Sequence, residues 1–131
     1  MKKIITLIFI NLISFNFVFA QGPITGRDFI ENYKIAENQK NEQVLSFLGT
    51  YLNGILRGIQ ATSIHFKLKG RKEIYCYPDN IKILTEKRMI TFIPKIDQDF
   101  KDGKTVYAEN PLDAPLSITI SMILNHYYPC N

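Results

Sequence analysis

The chain is poor in the side chains that usually do chemistry. Its 131 residues include two cysteines, two histidines and no tryptophan. Neither cysteine lies in a recognisable nucleophile motif, so His65 and His126 have no evident thiol to activate as bases. His65, Cys76, His126 and Cys130 are zinc-ligand types, but their spacing lacks the close pairing of a metal signature. A glycine-rich phosphate cradle, an internal repeat and low-complexity sequence are also missing. Together these gaps argue against an enzyme, a metal site or a bound cofactor. Charge of one sign is scarce too: the formal net charge is +4, and two of those charges are Lys2 and Lys3.

What is present begins with the amino end. Two lysines precede an apolar run from Ile4 to Ala20, broken only by Thr6, Asn11, Ser14 and Asn16 and closed by Val18-Phe19-Ala20. This layout predicts a secretory signal peptide, residues 1–20, cleaved after Ala20 into the periplasm. A transmembrane anchor fits less well, because the run is short, holds two asparagines and is followed by no positive stop-transfer segment. The mature chain is then Gln21 to Asn131, one domain. Losing Lys2 and Lys3, with no acid, takes the formal charge from +4 to +2. So nearly neutral a surface gives no electrostatic reason to expect nucleic acid, or a membrane after cleavage, as partner.

Export also decides how the cysteines read. In an oxidising compartment Cys76 and Cys130 are expected as a disulfide. Such a bond closes a loop of roughly 55 residues, for which the chain-entropy model gives about 4 kcal/mol. A zinc site or a catalytic thiol are the rival readings, and neither has a supporting motif.

Helical periodicity organises the rest into an all-α bundle of about four helices. Thr25-Gly26-Arg27-Asp28 has the form of a helix start, with Phe29, Ile30, Tyr33 and Ala36 on one side to about Lys40. From Asn41 to about Ser63, Val44, Leu45, Leu48, Tyr51, Leu52, Ile55 and Ile59 recur at three and four, with Phe47 and Leu56 widening the stripe. Gly49, Gly54 and Gly58 lie inside this helix, each costing up to about 1 kcal/mol relative to Ala. Close packing against another helix explains them, within the monomer or across a dimer. Residues 64–76 alternate Ile64, Phe66, Leu68 with His65, Lys67, Lys69, which reads as a short β-hairpin or loop, a frayed extension of the long helix being the competing account.

A third helix is expected to start at Pro78-Asp79, carry Ile83, Leu84, Ile90, Ile93 and Ile96, and end or kink at Pro94. The polar stretch from Asp97 to Glu109 reads as a surface loop. Asn110-Pro111-Leu112-Asp113-Ala114-Pro115 opens the last helix, with Leu116, Ile120, Ile123, Leu124 and Tyr127 inward and Tyr128-Pro129 as its stop.

Several of these features fall in a known order. The signal peptide, the stretch Gly49 to Gly58, Tyr75-Cys76-Tyr77-Pro78-Asp79, Asn110-Pro111 and the terminal Tyr128-Pro129-Cys130 resemble one family. It is the small periplasmic immunity proteins that guard bacteria against peptidoglycan amidases delivered by type VI secretion. Phe47 stands where members often carry another cysteine, and Arg57 where they carry an acid. The resemblance implies an all-α homodimer acting by stoichiometric inhibition, inserting a protruding element into the groove of a papain-like amidase. The loop from Asp97 to Glu109 is the best physical candidate for that element. It offers Phe100 and Tyr107 as aromatic anchors among Asp97, Asp99, Lys101, Asp102 and Lys104; an ordinary solvated linker is the plainer alternative. A periplasmic chaperone or helical binding module is the other class, distinguished by binding many unfolded clients rather than one partner.

Overall fold

The computed structural model describes residues 22–76 and 85–130. The predicted leader, residues 1–20, and the expected helix start at Pro78-Asp79, with Ile83 and Leu84, lie outside the described residues. Within them the fold is all-α: α1 Gly26–Asn38, α2 Glu42–Leu68, α3 Glu86–Lys101, a 3-10 turn Pro111–Asp113, and α4 Leu116–Tyr127. The helices surround one core, in which Phe29, Leu52, Met89, Ile93, Ile96, Ile120 and Ile123 are completely buried. No strand forms among the described residues, although Thr25 and Pro115 make an isolated antiparallel bridge.

Local sequence explains each boundary. Thr25 caps α1 through a reciprocal capping box: its side chain accepts from the Asp28 amide, and Asp28 accepts from the Thr25 amide. Three helices end in the same six-residue wrap, in which the two amides after the cap turn back to bond carbonyls of the last turn. At α1 these are Lys40 to Glu37 and Asn41 to Ala36; at α2, Gly70 to Lys67 and Arg71 to Phe66; at α3, Gly103 to Phe100 and Lys104 to Asp99. The wrap requires a left-handed residue. Gly70 (φ 66°) and Gly103 (φ 67°) supply it without strain, while Lys40 (φ 53°) adopts it at a cost of about 1 kcal/mol.

The termination at Gly70 corrects the reading of residues 64–76. These do not form a hairpin: 64–68 complete α2, and Lys69-Gly70-Arg71 is a helix end rather than a strand turn. Alternation misled because Ile64 and Leu68 are both exposed instead of sharing a buried strand face. Residues 72–76 then lie against the end of α2 without helix or strand, with a bend at Ile74. The Ile74 amide donates to the buried Ser63 hydroxyl, and the Asn125 side chain donates to the Ile74 carbonyl. Cys76 donates its amide to Tyr128 and is joined to Cys130 by the expected disulfide, Cα–Cα 5.0 Å over a separation of 54 residues.

Three further expectations change. Pro94 does not end α3, which continues to Lys101. An interior proline costs about 3 kcal/mol, but burying Ile96 on the far side returns about 1.5–3 kcal/mol. The i,i+4 pairs Lys95–Asp99 and Asp97–Lys101 add support. The segment Asn110 to Pro115 is not the first turn of α4; Pro111–Asp113 forms its own 3-10 turn under an Asn110 cap, and α4 starts at Leu116. In α2, Leu48, Leu52, Leu56 and Ile59 are buried as read, but Val44, Phe47 and Tyr51 face outward.

The glycines of α2 are not explained by packing within the single chain. A Cβ placed on Gly49, Gly54 or Gly58 meets nothing within 4 Å, so no described element of this chain packs closely on them. The close approach is at Gly26, where a Cβ falls 2.7 Å from Thr119 Cγ2 and 2.8 Å from its hydroxyl. Thr119 cannot swing away cheaply, because its buried hydroxyl donates to the Pro111 carbonyl at 2.8 Å. Gly26→Ala should therefore lower unfolding free energy by about 1–3 kcal/mol. Gly49→Ala should raise it by about 0.5–1 kcal/mol. Urea unfolding of both variants checks the contrast.

Candidate functional site

The residues read as one polar loop divide into two structural groups. Asp97, Asp99, Phe100 and Lys101 belong to the last turn and a half of α3, while Asp102 caps it and Lys104 and Tyr107 lie in the connection that follows. This divides their roles. Asp99 is buried and gathers donors from two helices: the Tyr127 hydroxyl at 2.6 Å and the Lys95 ammonium at 2.9 Å. His126 Nε2 lies 3.6 Å from the same carboxylate oxygen. The bond from Tyr127, then that from Lys95, holds the Asp99 carboxyl down at about 2. Burial, then the bond to Asp99, pushes the Tyr127 phenol well above its ordinary range. Phe92 stacks on the Tyr127 ring at 4.7 Å, and Lys95 Nζ lies 4.1 Å from that ring's centre.

An ionised carboxylate that takes two donors on one oxygen and a firmly protonated phenol make a joint between two helices. The cluster pins the end of α3 to the end of α4. His65, the other histidine, stands exposed on α2. Among the described residues no group of three or more His, Cys, Asp or Glu could hold a metal, and both cysteines are bonded to each other.

From that joint the connection 102–110 is tied down along its length. Asp97 accepts from Lys101 at 2.6 Å and from Asn110 at 2.7 Å, which closes the two ends of the connection on one carboxylate. Burial opposes the charge on Asp97, but these two bonds outweigh it and lower its pKa. Asp102 accepts from Lys104 and Gln98, which lowers its pKa as well. Tyr107 is half-buried and donates its hydroxyl to the Met122 carbonyl of α4 at 2.7 Å. Phe100 is likewise half-buried. Both rings are thus partly covered, and Tyr107 is held in place.

The residue that does project is one the sequence reading passed over. Val106 is 91% exposed, beside a fixed Tyr107. Its only signal in the sequence is a β-branched apolar side chain in an otherwise polar stretch. A second feature is an open cleft of about 330 Å³ lined by Tyr33, Ser46, Gly49, Thr50, Asn53 and Lys87 among others. Gly49 borders this space, which accounts for the emptiness around it.

No family model, curated protein or solved structure matches the chain. No described helix is long and apolar enough to cross a membrane, and the disulfide is compatible with an exported protein.

The joint generates a pH prediction. Because the folded Asp99 pKa lies below its ordinary 3.8, its ionised form stabilises the fold above about pH 4. That contribution is lost as pH falls toward 2. Tyr127→Phe removes the leading donor, so the Asp99 pKa should rise toward 3.8 in a carboxyl NMR titration, and acid unfolding should begin at higher pH. An unchanged Asp99 pKa would contradict this account of the joint.

Proposed function

We propose that the chain is an exported immunity protein: a stoichiometric inhibitor that blocks the active-site groove of a cell-wall amidase. The reading comes from the order of motifs in the sequence and makes the mature protein a periplasmic homodimer released from its leader at Ala20. One structural observation supports it most. The connection 102–110 is anchored at Asp97, Asp99 and Met122, yet it presents Val106 almost fully to solvent. A loop fixed in advance loses little conformational entropy on binding, which is what an inhibitory plug requires. An apolar tip with charged neighbours, Asp102, Lys104 and Glu109, matches the pattern of a small interface with a polar rim.

In this reading the anchoring residues and the contacting residues are different sets. Asp97, Asp99 and Tyr107 hold the loop's shape; Val106 and the exposed charges meet the target. Asp102 and Lys104 serve both ends, since they pair with each other and remain exposed.

The test mixes the oxidised protein with a panel of papain-like peptidoglycan amidases and measures residual cleavage against inhibitor ratio. One amidase should lose activity at a one-to-one ratio. Val106→Glu should then weaken that inhibition by roughly 10–100-fold, the range for removing one interface anchor, with unfolding unchanged because Val106 is solvent-exposed. Full inhibition by Val106→Glu would remove the loop from the interface. Failure against every amidase, together with capture of many unfolded clients, would replace the inhibitor with a chaperone.

A further inference from the structure

The outward side of α2 has a pattern that the fold does not use. Positions 44, 47, 51, 54, 58, 61, 65 and 68 follow one another at intervals of three, four, three, four, three, four and three. That is the heptad spacing of a two-helix seam, which keeps one line of residues facing a partner helix. All eight positions are exposed. None is Asp, Glu, Lys or Arg, and from Gln43 to Phe66 only Arg57 carries such a charge. A solvated face of this length is ordinarily charged. Among the described residues, five of the eight large exposed apolar side chains lie on α2, led by Leu68 at 79% and Phe47 at 57%.

The seam is also its own mirror in spacing and in size. Read backwards about position 56, Val44 falls opposite Leu68, Phe47 opposite His65, Tyr51 opposite Ala61 and Gly54 opposite Gly58. Apolar meets apolar, ring meets ring, a large residue meets a small one, and two glycines meet at the centre. A two-fold interface requires such self-complementarity; a seam shaped for an unrelated helix does not. Parallel pairing would set Tyr51 against Tyr51 and Phe47 against Phe47 while leaving Ala61 against Ala61, so bulk and gaps would not match. Antiparallel pairing also opposes the two helix dipoles favourably.

We propose that two copies of the chain form a homodimer through antiparallel pairing of their α2 helices, Gly54 of each against Gly58 of the other. The central glycines then have a function, since open space on their outer side is filled by the second backbone. Phe47 and Tyr51, stacked in parallel planes with centroids 6.4 Å apart, form the ridge that enters the neighbour's Ala61–His65 hollow. This names the surface of the dimer that the immunity reading implies, but it needs no toxin and stands or falls separately from inhibition.

The experiment is sedimentation equilibrium of the oxidised protein over a range of concentrations. The unaltered protein should be a dimer. Tyr51→Glu and Ala61→Lys each bury an unpaired charge twice, and should each raise the dimer dissociation constant by about 100-fold or more. Both sites are exposed in the single chain, so circular dichroism and the unfolding midpoint should be retained. Mixing the two variants should restore the dimer. In the mixed pair the introduced carboxylate faces the introduced ammonium at one contact, while the other contact keeps its native Tyr51 and Ala61. A monomeric unaltered protein, a dimer indifferent to both variants, or oxidative cross-linking of Tyr51→Cys to itself would each overturn the proposal.

Discussion

The bond between Cys76 and Cys130 joins two parts of the chain that lie outside its helices. Residues 72–76 have no strand or helix of their own, and are held by scattered bonds, among them those to Ser63, Asn125 and Tyr128 and the Lys67–Glu73 ion pair. Removing about 4 kcal/mol of loop entropy from the unfolded chain makes those scattered bonds sufficient. With the strap in place, Tyr75 is buried and the end of α4 is fixed beside α2. The position of α4 in turn sets Tyr127 under Asp99 and Met122 under Tyr107. The geometry of the connection 102–110 thus depends in part on a covalent constraint just beyond the end of α4.

The division of labour around that connection has a simple electrostatic basis. Carboxylates of α3 that look in sequence like a charged rim are consumed internally. Asp99 serves the interhelix joint, and Asp97 closes the loop's two ends. What they leave exposed is shape: a short, fixed excursion with an apolar tip.

Much of the fold was legible in the sequence, and the exceptions share causes. The start of α1 was readable because Thr25 and Asp28 satisfy each other within three residues, a purely local device. The core of α2, α3 and α4 was readable from Leu52, Ile93 and Ile123 because burial imposes helical spacing. Pro94 was misleading, since its local cost is offset by the burial of Ile96, which only the assembled core supplies, together with the ion pairs of the last turns. Gly70 was misleading because a left-handed glycine closes a helix as readily as it turns a hairpin. The outward residues Val44, Phe47 and Tyr51 read as core because two apolar stripes run side by side on one helix, and spacing alone does not say which one is covered. Asp99 looked like surface charge, for its partner Tyr127 lies 28 positions further along the chain.

The length of α2 has a mechanical consequence. At 27 residues it extends about 40 Å, more than twice the span of α1 or α4. Glu73, Tyr75 and Cys76 roof an open pocket along Gln60, Ser63, Ile64 and Lys67. In the single chain that end of α2 should fray sooner than the core, its amides opening to solvent by local unfolding. A thiol reductant would release the roof, and with it the constraint that holds the end of α4 beside α2. The molecule would thus register a change of redox surroundings first at this tip.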